Sequence, residues 1–348
     1  MSQSSLPSSI KDVQQLDDML SEPPDYLVQA MKRLEGDLLI LGTAGKIGPT
    51  LARMAKRASE AAGKNRRIIG VDRFPNGAAD MKPLQDWGIE TLKCDMLNQA
   101  QLDSLPEVPN VMYMAGMKFG STGQEPLTWA MNAYLPGMVS QKFRNSRIVA
   151  YSTGNVYGLC PLEKRGCKEE DQVNPLGDYA MSCLGRERIF QHFSKTLNIP
   201  VTIFRLNYAA EVRYGVVVDI AQKVWAGQEV DVSMGHFNVI WQADASAMSL
   251  ACLEHASCPP KIVNSSGPEI LSVREVAQQL GKLMGKSAKI VGKEQPSALL
   301  NDSSMSFKMF SLPRVTADQL ITWVAQWIMQ GGGSLGKPTH FEARDGKF

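Results

Sequence analysis

The chain has 348 residues, 44% of them hydrophobic, which is enough for a large core and too much for one small domain. A net charge of +2 gives no broad field for nucleic acid or an anionic membrane. No apolar run reaches the ~18 residues of a spanning helix, Met1-Ser2-Gln3-Ser4-Ser5-Leu6-Pro7 lacks a secretory pattern, and six scattered cysteines without a C-x-x-C pair read as reduced thiols of a cytoplasmic protein.

Residues 1–36 read as a helical lead-in. Val13, Leu16 and Leu20, then Leu27, Met31 and Leu34, recur at helical spacing on either side of Pro23-Pro24. Leu38 to Leu41 is a short apolar run of the kind that forms a buried parallel strand. Gly42, Gly45 and Gly48 follow at G-x-x-G-x-x-G spacing, and Pro49 opens a helical pattern that runs to Ala62. Strand, glycine turn and helix in this order form the context a dinucleotide fingerprint requires. The turn needs residues without a Cβ, and phosphates then settle on unpaired N–H groups at the helix start. Arg67 to Asp72 reads as the next strand and ends in an acid about 20 residues further on. Asp72 is placed to accept from the hydroxyls of an adenosine ribose, and the same charge disfavours a 2′-phosphate, so NAD is expected over NADP.

Strand and helix patterns then alternate. Ile89 to Cys94, Val111 to Gly116, Arg147 to Thr153 and Val201 to Leu206 read as strands. Pro126 to Arg144 and Tyr179 to Leu197 read as helices, the first despite Pro136. The alternation predicts a doubly wound parallel α/β sheet, a Rossmann domain over 37–207 completed by residues at about 240–265. Residues 208–330 then form a smaller, mainly substrate-binding part, with helices at Val216 to Ala226, Ser272 to Met284 and Val315 to Met329. Residues 331–348 read as a surface tail. The four histidines show no metal-ligand spacing, and no metal is expected.

Gly42, Gly45, Gly48, Asp72, Asp95, Asn132, the run Ser152-Thr153-Gly154-Asn155-Val156-Tyr157-Gly158, and Tyr179-x-x-Ser182 with Glu187 occur in an order that resembles the extended short-chain dehydrogenase/reductases. These are the NAD-dependent epimerase/dehydratase proteins. The resemblance covers about residues 38–285 and rests on several linked motifs. It implies hydride transfer to and from a nicotinamide, on a nucleotide-sugar, sugar acid or similar polyol. It also implies a homodimer, paired through the helices that carry Asn132 and Tyr179. Carried over residue by residue, the cofactor is held by Gly42, Thr43, Gly45, Lys46, Ile47, Gly48, Asp72, Arg73, Asp95, Met96, Ala115, Gly116 and Tyr179. Thr153 bonds the substrate oxygen, Tyr179 is the acid/base and Asn132 supports it. Ser152, Asn207 and Arg213 face the substrate.

One position departs from the pattern. The family's lysine follows the tyrosine by four residues and lowers its pKa, and Cys183 stands there instead. A thiol carries no positive charge, and a tyrosine with a reference pKa of about 10 needs a nearby cation to act as a base at neutral pH. Three readings stay open. Another cation serves, with Arg186, Arg188 and Arg213 near in sequence; Tyr179 acts as a neutral acid or positioning group; or the protein is a non-catalytic NAD-binding sensor or scaffold. Cys183 itself reads as a small half-buried side chain rather than a reactive thiol.

Overall fold

The computed structural model describes residues 6–118, 120 and 122–346. Its centre is a seven-stranded sheet formed by β1 (Leu38–Leu41), β2 (Ile68–Asp72), β3 (Glu90–Lys93), β4 (Asn110–Tyr113), β5 (Arg147–Thr153), β6 (Val201–Leu206) and β7 (Lys261–Ser265). The spatial order is β7-β6-β5-β4-β1-β2-β3, and every pairing is parallel. β1 lies between β2 and β4, with Leu38–Leu41 opposite Ile68–Val71 on one side and Asn110–Tyr113 on the other. All four of its residues are buried, as a central parallel strand covered on both faces must be. The order reverses between β1 and β4, and ligands of open α/β sheets bind at such a reversal. This is the Rossmann architecture that the strand–helix alternation predicts, and β7 completes the sheet within the stretch assigned to that role.

Helices α1 (Val13–Leu20) and α2 (Asp25–Arg33) bury Leu16, Leu20, Leu27 and Met31 against α3 (Gly48–Ala61) and the helix Gln242–Ala251. Ser272 caps its helix, its side chain accepting from the Glu275 N–H at 3.3 Å.

Three elements differ from expectation. The helix Ala78–Asp86 forms with Pro83 inside it and has only Leu84 fully buried, so it lacks an apolar stripe to announce it. In the helix Gln242–Ala251 every residue is buried, and an all-round buried helix shows no amphipathic period. The expected continuous helix from Pro126 to Arg144 is three pieces: Glu125–Trp129, a π turn Ala130–Tyr134, and Leu135–Lys142. Pro136 is the cause. It has no N–H to offer the carbonyl of Asn132 four residues back, and its ring would strike that carbonyl in a regular α-helix. The widened turn, with the Leu135 N–H bonded to the Ala130 carbonyl, removes the conflict.

Residues 334–346 are docked along the protein. Phe341 is buried in the core, Thr339 donates from its N–H and its hydroxyl to Asp219 (2.7 and 2.6 Å), and Glu342 pairs with Lys223 at 2.6 Å. Among the described residues no helix is long and apolar enough to cross a membrane. The six cysteines are free thiols.

Candidate active site

A cavity of about 300 Å³ opens beyond the carboxyl ends of β1, β4, β5 and β6. Its floor is the glycine turn. Gly42 has φ +96°, and a Cβ there would lie 2.7 Å from the Ala115 N, so the turn can pass β4 only without a side chain. A Cβ on Gly48 would sit 2.2 Å from the Thr43 carbonyl oxygen, so the first turn of α3 packs on the strand end only as glycine. Gly42, Gly45, Lys46, Ile47 and Gly48 all line the cavity. Thr43 does not; its hydroxyl donates to the Ile40 carbonyl (2.7 Å) and accepts from the Val71 N–H (3.1 Å), tying β1 to β2.

Asp72 lies at the end of β2, and its carboxylate accepts from the Ala44 N–H (2.9 Å) and the Arg73 N–H (2.7 Å). It thus joins the glycine turn while one edge stays open. Arg73 and Asp95 are exposed, and Asp95 accepts from the Leu97 N–H at 3.2 Å. Met96 and Ala115 are buried in the core below. Gly116 lines the cavity.

At the far end, Tyr179 enters from the first turn of the helix Gly177–Leu197 and Thr153 from the last position of β5. The Tyr179 hydroxyl lies beside Thr153 and the Cys183 thiol, while the Thr153 hydroxyl donates to the Asn155 Oδ1 (3.3 Å) and accepts from the Asn155 N–H (3.2 Å). Burial raises the Tyr179 pKa well above the ordinary tyrosine value; Cys183 adds to the rise, and Arg186 and Thr153 oppose it. Burial likewise pushes the Cys183 thiol up, and Cys183 is buried, as a small apolar side chain would be. Asn132, in the π turn, accepts from the Met117 N–H (2.9 Å) and donates to the Met117 carbonyl (2.9 Å) and the Ser182 hydroxyl (3.0 Å). It therefore fixes the loop after β4 to the Tyr179 helix.

Beneath Tyr179 runs a buried charged network. Ser152 donates to Glu187 (2.6 Å), Glu187 pairs with Arg205 (2.6 and 2.9 Å), and Arg205 donates to the Tyr157 hydroxyl (2.7 Å). Ser152 lines the cavity, but its hydroxyl is engaged with Glu187. Asn207 lines it too, its amide donating to Asn238 and to the Leu299 carbonyl. Arg213 is not brought into the cavity. It pairs with Glu211 (3.0 Å) and Asp17 (3.5 Å), holding α1 to the segment after β6.

Sequence reasoning misses Lys118, Lys337 and Thr339. Lys118 lines the cavity with its Nζ 5.6 Å from the Tyr179 ring centre. Lys337 and Thr339 roof it from the segment that reads as a surface tail. Lys46, which the resemblance assigns to the cofactor, lies on the face of Tyr214 inside the cavity. Burial lowers the Lys46 pKa to about 6, helped by Lys118 and Lys337, and lowers that of Lys118 to about 8. Lysines that converge this way make a pocket suited to an anion. Nothing in the local sequence around Lys118 or Lys337 marks them, because their meeting depends on how the chain crosses the sheet end.

Residues 38–210 match the NAD dependent epimerase/dehydratase family. No curated protein matches the sequence significantly. The fold is similar to that of a UDP-glucuronic acid 4-epimerase from Bacillus cereus in complex with NAD, at 18% identity and a TM-score of 0.69, covering 84% of this chain and 96% of that one. A dTDP-glucose 4,6-dehydratase from Streptomyces venezuelae with NAD bound superposes with a TM-score of 0.71 at 17% identity, over 84% of this chain and 97% of the other. A dTDP-glucose 4,6-dehydratase from Bacillus anthracis in complex with NAD gives 0.70 at 18% identity, over 85% and 97%.

Proposed function

We propose, from the membership of residues 38–210 in the NAD dependent epimerase/dehydratase family, that this chain is an NAD-dependent epimerase, dehydratase or dehydrogenase acting on a nucleotide-sugar, sugar acid or similar polyol. The observation that carries the reading is that Tyr179 and Thr153 stand side by side on the wall at one end of a cavity whose other end is a side-chain-free glycine turn. That turn fits a pyrophosphate, because each glycine is held where a Cβ would collide or block the approach. Lys46, Lys118 and Lys337 converge beside it, and a bound anion would favour the charged form of Lys46, whose pKa burial lowers to about 6 in the free protein. Asp72 stands at the turn's rim for the adenosine ribose, and its charge favours NAD over NADP.

Bound NAD would supply the hydride acceptor and donor. The residues of the chain handle the rest. Thr153 holds the substrate oxygen beside Tyr179; Tyr179, kept protonated by burial in the free protein, donates its proton to that oxygen as the carbon receives hydride, and as phenolate takes it back when the carbon gives hydride up. Asn132 keeps the Tyr179 helix in register with the loop that covers the cavity.

We also propose a cytoplasmic homodimer joined through the helices that carry Asn132 and Tyr179. Leu127, Trp129, Tyr134 and Met181 are large apolar side chains left exposed on these elements, and such exposure marks an interface.

The test is a titration of the purified protein with NADH and NADPH by nicotinamide fluorescence, followed by turnover assays on nucleotide-sugars, sugar acids and polyols. Binding of NADH in preference to NADPH, with turnover that Tyr179→Phe lowers by about 10²–10⁴-fold at unchanged melting temperature, supports the enzyme. Binding without any turnover favours the alternative, a non-catalytic NAD-binding sensor. Failure to bind either nucleotide overturns both.

A further inference from the structure

We propose that Arg186 is the relocated cation of this active site. It delivers from seven residues beyond Tyr179 the fixed positive charge that a lysine at position 183 would deliver from four. The inference rests on the NAD-dependent reading above and assigns the residue that completes it.

Tyr179, Cys183 and Arg186 follow one another at i, i+4 and i+7 along one helix and share one face. Arg186 is buried and lines the cavity. Its guanidinium is held by three acceptors. Nη1 donates to the Tyr151 carbonyl (2.7 Å), Nη2 to the Asn132 Oδ1 (2.6 Å), and Nε to the Asn132 carbonyl (3.4 Å). That last acceptor is the carbonyl that Pro136 cannot bond within its own helix. None of the three acceptors carries a formal charge, and the carboxylate whose field reaches the guanidinium, Glu187, is itself paired with Arg205.

The surroundings are cut to this side chain. A Cβ on Gly116 would lie 2.2 Å from Nη2 and 2.8 Å from the Asn132 Oδ1, so glycine is needed there for the guanidinium to reach the cavity wall. The Tyr113 ring centre lies 5.5 Å from the guanidinium carbon. Cys183, one turn away and next to the guanidinium, is small, uncharged and buried; a lysine there would press a second cation against the first. The other candidates fail on geometry or on charge. Arg188 is turned to Gln191 at 2.8 Å, and Arg213 pairs with Glu211. Lys118 approaches the Tyr179 ring from the loop after β4, but burial lowers its pKa to about 8, so its charge, unlike that of a guanidinium, is lost as pH rises through about 8.

A charge at this place has a signature that a structural arginine lacks. Nicotinamide loses a positive charge when NAD becomes NADH, so a fixed cation nearby favours the reduced form. The experiment measures the dissociation constants of NAD and NADH on the wild type and on Arg186→Met, Arg186→Lys, Cys183→Lys and the double variant Cys183→Lys/Arg186→Met, with a melting curve for each. The expected result is that Arg186→Met narrows the preference for NADH by about tenfold. Arg186→Lys keeps the preference while weakening both forms. The double variant restores it, and Cys183→Lys alone lowers the melting temperature. A preference that is the same in wild type, Arg186→Met and the double variant overturns the relocation while leaving the NAD reading intact. A wild type that binds neither form overturns the NAD reading itself. Should Arg186→Met not fold, the double variant decides: restored folding and preference support the proposal, and a folded double variant without the preference overturns it.

Discussion

The two ends of the cavity are built from different materials. The glycine-turn end is made of backbone: Gly42 and Gly48 work because of atoms they lack, and what they leave open is main chain. The Tyr179 end is made of buried, charged side chains that hold one another, with Glu187 between Ser152 and Arg205, and Arg186 between Asn132 and Tyr151. A backbone device has no substitute, so it keeps its residue pattern. A charge can be delivered from any position whose side chain reaches the spot. The glycine end is therefore the one that a residue pattern can announce, and the charge at the other end is the one that a pattern can miss.

The largest effect should come from breaking the side-chain end. Arg205→Met leaves Glu187 buried without its counter-charge and should cost about 3–5 kcal/mol in urea unfolding. Adding Glu187→Leu should recover much of that loss, because two apolar groups need no pairing. A double variant as unstable as the single one would show that the network is needed as packing and not as charge. A smaller loss is expected at the backbone end. Gly48→Ala forces a methyl group against the Thr43 carbonyl and should cost about 1–3 kcal/mol, with NADH binding lost even where the protein remains folded. Retained NADH binding in a folded Gly48→Ala protein would separate the glycine turn from the cofactor.

The smallest effect is one of pH. In the free protein the Lys46 pKa lies at about 6 and that of Lys118 at about 8. A bound pyrophosphate raises both, so binding takes up protons. NADH should therefore bind most tightly at low pH, and its affinity should fall by about tenfold between pH 6 and pH 9 as the two charges become harder to keep. Lys46→Met and Lys118→Met should each flatten that slope. A wild-type affinity independent of pH would mean that neither lysine meets the phosphates.

The same contrast decides which features are legible in the order of residues alone. The glycine spacing, the acid at the end of β2 and the strand–helix rhythm announce a Rossmann sheet, because each is a local requirement stated in residue types. Thr153 and Tyr179 are legible through the linked motifs around them. Arg186 is one of three nearby arginines, and choosing it requires the fold of the loop after β4 and the carbonyl of Asn132. Arg213 looks equally suited to the cavity in sequence, yet a carboxylate two residues away, Glu211, takes it. Lys118 and Lys337 carry no local mark, since they meet only when the loop after β4 and the C-terminal segment converge over the sheet. Pro136 is legible as a residue but not as an act: its neighbours suggest one tolerant helix, whereas it divides that helix and changes what a carbonyl bonds.

That division reaches beyond the helix itself. Pro136 lies outside the cavity wall, yet its missing hydrogen bond turns an acceptor over to a side chain inside it. Engineers who vary only the residues in view of a substrate would leave this control untouched. Placing an alanine at 136 would let the helix reclaim its carbonyl, and the pull on the guanidinium would slacken without any change in the pocket's inventory. The electrostatics of the chamber are thus open to change from a residue that no ligand would touch.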